Sequence, residues 1–350
     1  MTTQPLELAD PRDLASYEAP KNWPTLSMDE IVAHGPDAAI VVRDALGLRA
    51  RCSLWWNDVP PYGDERLGVV GHYAATTAED GRAVLEAAAA ALTQQGCTFA
   101  VGPMDGNTWR RYRLVVDRGA EPPFFLEPTN PEDWPAHYDS AGFTPLAHYY
   151  SALNTDLTQR DERAPEITTR LAGIGVTLRP IDLTRFEQEL KAIYGVADIS
   201  FQNAFLYTPL SEDAFSAQYQ RIRQYVRPEL VIVAERADRV VGFVFTTPDV
   251  LEIARGAPPR TAIIKTLAIL PDREYAGLGS LLTAQSHAAA AALGYERVIH
   301  ALMHESNRSR KISAHTGQTM RRYALFGRRL SFRAERGIAV VPVERSPLSG

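Results

Sequence analysis

The chain has 350 residues, comfortable for two domains, with 45% hydrophobic and 23% charged residues, the balance of a soluble globular protein rather than a disordered one. A formal net charge of −5 and a pI near 5.9 argue against a general nucleic-acid binder, which carries a basic excess. Cys52 and Cys97 are the only cysteines and lie in apolar stretches, so reduced interior thiols are expected and a disulfide framework is excluded.

In chain order, residues 1–10 are polar, with neither a basic start nor an apolar run, so no signal peptide is expected. Segments 39–42, 48–56 and 67–75 read as strands, 80–95 as an alanine-rich helix closed by Gly96, and 98–101 as the next strand. Trp55, Trp56, Trp109, Phe124, Phe125 and Trp134 are either core or the lining of a substrate pocket, with core the default. Residues 154–170 are mostly polar, contain Pro165 and show no sustained periodicity, so the expected division is 1–153, a linker at 154–174, and 175–350.

Beyond the linker, 176–180 reads as a short strand stopped by proline, 183–194 as a helix, and 211–225 as a second helix opened by Ser211. Segments 230–234 and 240–246 form a hairpin across a polar turn, and 261–270 is a further strand. A helix spans 277–293, with Leu278, Leu281, Leu282, Ala288, Ala289, Ala292 and Leu293 on one face and Gly294 as its left-handed cap. Thr283, Gln285, Ser286 and His287 interrupt it, so it falls short of the ~20 apolar residues of a membrane span. A strand at 297–303, a short helix at 307–315 and a strand at 322–330 complete the chain. Both halves run strand, glycine turn, alanine-rich helix, glycine cap, apolar strand, which reads as an internal duplication; two unrelated halves remain the alternative.

The strongest constellation is Leu267-Ala-Ile-Leu-Pro-Asp-Arg-Glu-Tyr-Ala-Gly277-Leu-Gly279-Ser-Leu-Leu282. A buried strand runs into a loop whose glycines open an amphipathic helix, where free N–H groups and the macrodipole can hold a pyrophosphate. It is neither a P-loop, lacking Gly-Lys-Ser/Thr, nor a complete Rossmann fingerprint. His300 and His304, on a strand, stand about 13 Å apart, too far for one ion, and no metal is expected. Eight basic residues from Arg308 to Arg333, with no acid between 307 and 332, form either a solvated face or contacts to a phosphate.

This constellation resembles the signature of the GNAT superfamily of acyl-CoA-dependent N-acetyltransferases, Gln/Arg-x-x-Gly-x-Gly/Ala after the fourth strand. Gly277 and Gly279 match its small positions, Glu274 stands where the family has Gln or Arg, and Arg273 is the candidate replacement cation. The resemblance implies an α/β fold of two GNAT-like domains, each a mixed central β-sheet flanked by helices, the first a divergent copy. It also implies that the amides of Leu278, Gly279 and Ser280 hold the CoA pyrophosphate, with Leu267 and Ile269 beside the pantetheine arm and Asn307 contacting it. Aligned from Asn307, Ala314 occupies the place of the family's tyrosine acid, so His315 and Tyr323 stand as candidate acids and Glu305 or His315 as the end of a water relay. The fourth strand offers Lys265 and Thr266 where a carboxylate is common. In the first half Gly81 and Ala83 keep the glycine spacing, but Glu79 and Asp80 oppose an anion there, and Asn107 resembles Asn307.

The implied activity is transfer of an acetyl group from acetyl-CoA to the amine of a small molecule, without a metal. The alternative is an acyl-CoA-binding or sensing protein without turnover. A cytoplasmic monomer or homodimer, with neither membrane nor nucleic acid as partner, is expected.

Overall fold

The hairpin that opens the second half shows how local sequence sets local structure. Strands β9 (Val231–Arg236) and β10 (Arg239–Pro248) meet at Ala237 and Asp238, whose φ values of 46° and 61° make the left-handed two-residue turn that suits the twist of paired strands. Capping works the same way: Ser211 Oγ accepts from the backbone of Ala214, and Thr77 Oγ1 from that of Asp80, each at 3.2 Å, starting the helices that follow them. The computed structural model describes residues 4–159, 162–306 and 317–331.

In the first half the elements are β1 (Pro5–Glu7), α1 (Met28–His34), β2 (Ala38–Asp44), β3 (Gly47–Trp55), β4 (Leu67–Ala75), α2 (Ala78–Gln94), β5 (Phe99–Gly102), β6 (Leu114–Asp117), α3 (Trp134–Ser140) and β7 (Thr144–Asn154). The second half adds α4 (Ala164–Gly173), β8 (Val176–Pro180), α5 (Phe186–Phe201), α6 (Glu212–Ile222), α7 (Val250–Ala254), β11 (Thr261–Ile269), α8 (Leu278–Ala292), β12 (Arg297–His304) and β13 (Gln318–Arg329), besides the β9–β10 hairpin.

All the strands join one sheet in the order β1-β2-β3-β4-β5-β13-β7-β12-β11-β10-β9-β8, with β6 against β13. The order is symmetric about the β13–β7 pair: β1 to β5 lie on one side and β8 to β12 on the other. Each half has exchanged its last strand. β13, from the end of the chain, pairs with β5, while β7 pairs with β12. Strand β7, of which residues 144–153 fall within the expected 1–153 unit, therefore pairs with the second half's β12.

Helices α4 and α8 cover one face of the second half, packing around Leu278, Leu282 and Val298, while α5 and α6 cover the other with Phe186, Leu190 and Phe215 against Phe243 and Phe245. Residues 164–173, within the expected linker at 154–174, form α4. Ile167 and Leu171, four residues apart, make a short apolar stripe on an otherwise polar helix, and Leu171 is 1% exposed. No helix among the described residues is long and apolar enough to cross a membrane.

Candidate active site

Parallel strands β11 and β12 pair only from Thr261↔Arg297 to Ile264↔His300 and then diverge. Two irregularities mark the opening. The β10–β11 register skips Lys265, since Phe245 faces Thr266 and Thr246 faces Ile264. The β7–β12 register slips between His300 and Met303, with Leu302 at φ 58°. Such bulges re-aim side chains. Beyond the last partner on β12, Lys265, Thr266 and Leu267 are half-buried, whereas residues 261–264 of the strand are buried.

The opening holds a cavity of about 280 Å³, lined by Lys265, Leu267, Thr283, His300 and His304 among others. A second cavity, of about 490 Å³, shares a wall with it: Thr108, Trp109, Tyr112, Arg113, Lys265, Thr266 and Leu302 line both. Much of that wall comes from the first half. The segment after β5 reaches across, and Trp109 Nε1 donates to the carbonyl of Thr208 at 2.9 Å while its ring packs edge-on against Phe201, Tyr207 and Phe215. In the first half's own parallel pair, β4 and β5, the corresponding divergence is filled by this segment: a Cβ on Gly71 would stand 2.1 Å from the Met104 carbonyl oxygen.

The shared wall is electrostatically unusual. Burial, helped by the charge of Arg113, brings the Lys265 amine down to about 7, and its Nζ lies 3.4 Å from the Leu126 carbonyl oxygen. Arg113 is only 6% exposed, its guanidinium 3.9 Å from the ring centre of Tyr112 and 4.2 Å from that of Tyr149. Its Nη1 donates to the Leu302 carbonyl at 3.3 Å, and it has no carboxylate partner among the described residues. Burial pushes the Glu127 carboxyl up although Tyr323 donates to it and Arg321 Nε lies 3.1 Å away. Burial and Glu127 together hold the Tyr323 phenol well above its ordinary range. Its hydroxyl also lies 3.0 Å from Ser151 Oγ, which accepts from the Leu302 N–H at 3.1 Å. His300 is brought down to about 3 by burial, and His304 is lowered by the same cause, so both are neutral at pH 7.

The glycine loop lies where β11 leaves the sheet. Gly277 takes φ 85° as the N-cap of α8, and a Cβ there would meet Ile167 of α4 at 3.0 Å. The N–H groups of Leu278, Gly279 and Ser280 have no acceptor among the described residues. Arg170 of α4 donates to the carbonyls of Glu274, at 2.7 Å, and Ala276. Glu274 pairs with Arg236 at 2.5 Å, so its charge is compensated, and exposed Arg273 has no acidic partner among the described residues. The N–H of Ile269 is held by Ser200 Oγ at 3.0 Å. Leu267 and Thr283 line the first cavity, linking this loop to the opening along β11 and α8.

Of the residues expected at the site, Leu267, Ile269, Arg273, Glu274, Gly277, Leu278, Gly279 and Ser280 form one neighbourhood. Tyr323 and Glu305 line neither cavity: Tyr323 lies behind the wall, and Glu305 faces Arg322 at 3.5 Å. His315 and Asn307 lie outside the described residues. Sequence reasoning missed Arg113 and the bulged role of Lys265. An arginine among aromatics, in Trp109-Arg-Arg-Tyr112-Arg113, was the available signal.

At the matching start of α2 the space is taken. A Cβ on Gly81 would meet Tyr73 Oη and His137 Nδ1, each at 2.5 Å, while Asp80 is bonded to Thr77 and lies 3.2 Å from Arg49. Elsewhere in that half, His34, His72 and Asp105 bring ligand atoms within 4.8 Å of one another. Arg110 beside His34 and Arg51 beside His72 set positive charge against a dication there.

No family model matches the chain. It is 25% identical over 186 residues to the bacterial ceramide synthase of Caulobacter vibrioides, an alignment covering 52% of this chain and 48% of that protein. The chain thus spans about half the length of that relative. Among solved structures it resembles a probable N-acyltransferase from Enterococcus faecalis V583, with a TM-score of 0.52, 10% identity, 94% of this chain and 73% of that one covered. It also resembles a GCN5-related N-acetyltransferase from Kribbella flavida, with a TM-score of 0.50, 12% identity, 94% of this chain and 72% of that one covered. The chain has the GNAT fold, with duplicated domains.

Proposed function

We propose that this duplicated GNAT-fold chain is an acyl-CoA-dependent N-acyltransferase, with acetyl-CoA as donor and the amine of a small molecule as acceptor. The carrying observation is the continuity of three features: the amides of Leu278, Gly279 and Ser280, without acceptors among the described residues, the Leu267–Thr283 path, and a half-open cavity lined by a partly neutral lysine. The amides and Arg273 receive the pyrophosphate, and the thioester arm follows β11 into the opening. A ceramide is an amide of a long-chain amino alcohol, so the name of the Caulobacter relative supports nitrogen as the acceptor atom.

Transfer needs a neutral amine and, afterwards, a proton for the thiolate. Lys265 serves both needs. Its neutral Nζ takes the proton of the attacking nitrogen as the new C–N bond forms, and returns it to sulfur as the C–S bond breaks. The amine's proton ends on the free thiol and Lys265 is regenerated. Tyr323, tied to Glu127 and Ser151, braces the Leu302 bulge rather than meeting substrate. The test is release of free CoA thiol from acetyl-CoA with a panel of primary amines. Turnover supports the proposal; CoA binding without turnover for any amine supports the sensing protein instead.

A further inference from the structure

Arg113 is buried, and no carboxylate among the described residues pairs with it. Among the same residues its Nε has no hydrogen-bond partner, and its Nη1 has only the Leu302 carbonyl at 3.3 Å. Burying a guanidinium without a counter-charge is costly, and the rings of Tyr112 and Tyr149 offset only part of that cost. The described residues offer no remedy nearby. Glu127, the carboxylate in the wall of the larger cavity, is committed to Arg321 and Tyr323. Arg110 and Arg111, which line that cavity too, add charge of the same sign.

The geometry is that of a receptor. A guanidinium stacked on aromatic faces keeps its planar edge free for a two-pronged contact with an oxyanion. Arg113 lines both cavities, and the larger one also presents Trp109, Tyr219, Ile222 and Phe245, an apolar bed beside the charge. We propose that Arg113 binds an oxyanion of the acceptor, so that the amine acylated here also carries a carboxylate or phosphate, joined to its nitrogen through an apolar body. This rests on the cleft being the acyl-transfer site described above.

The test uses calorimetric titration of the full chain with hexanoate, hexyl phosphate and hexan-1-ol, which share a tail and carry no nucleophilic amine. At least one acid is expected to bind about tenfold or more tightly than the alcohol. Preference for hexanoate identifies a carboxylate, and preference for hexyl phosphate identifies a phosphate. Arg113→Gln loses the preference. Arg113→Lys, which keeps the charge without the planar fork, keeps it at reduced affinity and decides the matter where Arg113→Gln does not fold. Equal binding of acids and alcohol overturns the proposal, as does no binding at about 10 mM. Acid affinity undiminished in both variants overturns it too. No probe is acylated, so absence of acetyl-CoA turnover leaves an anion site standing. A failed titration, conversely, leaves acylation of uncharged amines standing.

Discussion

Replacing Lys265 with methionine removes the amine while keeping the length of the side chain. At its ordinary value of 10.5 a lysine is about 0.03% neutral at pH 7, whereas at about 7 it is half neutral, a gain of roughly a thousandfold in free base. A general base of this kind contributes about 10²- to 10⁴-fold, so Lys265→Met is expected to lower kcat/KM by that factor. In the wild type, kcat/KM rises with pH along a limb centred near 7, and the variant lacks that limb. Thiol release from acetyl-CoA between pH 5.5 and 9, with one accepted amine, measures both. A second readout needs no substrate. The folded-state value lies below the unfolded one, so between pH 7 and 10.5 the unfolded chain binds more protons. The burden of burying this amine is therefore complete below pH 7 and disappears as pH rises toward 10.5. Lys265→Met should raise Tm most at pH 6, by about 2 °C after allowing for the partial exposure of the side chain, with the difference vanishing near pH 10. A variant within threefold of wild-type activity, or one that keeps the limb near 7, refutes the reasoning.

CoA should raise the Tm of the wild type, and Gly279→Glu should abolish that rise by placing a carboxylate among the amides that open α8; an unchanged shift in the variant contradicts the pyrophosphate site. Calorimetric titration should give one CoA per chain, because Tyr73, His137 and the Asp80–Arg49 pair fill the start of α2, and a stoichiometry near two contradicts this. Gly81→Glu is unsuited to that question, since the buried contacts of Gly81 make its loss a folding defect. Tyr323→Phe should cost about 1–3 kcal/mol of stability in denaturant titration, by leaving Glu127 short of a donor, yet change kcat less than threefold; a hundredfold loss of kcat would restore Tyr323 as an acid.

Local chemistry made much of the second half legible. Alternating and continuous apolar runs placed β9, β10, β11 and β12, and the glycines at 277 and 294 bounded α8 within a residue, because burial and left-handed backbone leave marks at the positions where they act. The same holds for the glycine loop, whose chemistry is contained in about six consecutive residues. Helix α4 was not legible, since two apolar residues in a polar stretch make too short a stripe. Pairing was not legible either. Nothing in 144–154 or 318–329 states that these strands change places, because an apolar pattern records that a strand is buried but not against which neighbour. The cleft depends on that exchange and on the reach of Trp109 and Arg113 into the other half. Lys265 could be read only as a missing carboxylate until the slip at Phe245 and Thr246 turned it into the cavity. The sequence by itself determined most elements of the second half and the glycine loop, which are properties of neighbours along the chain; tertiary structure alone decided which half completes whose cleft, and which charge stands there without a partner among the described residues.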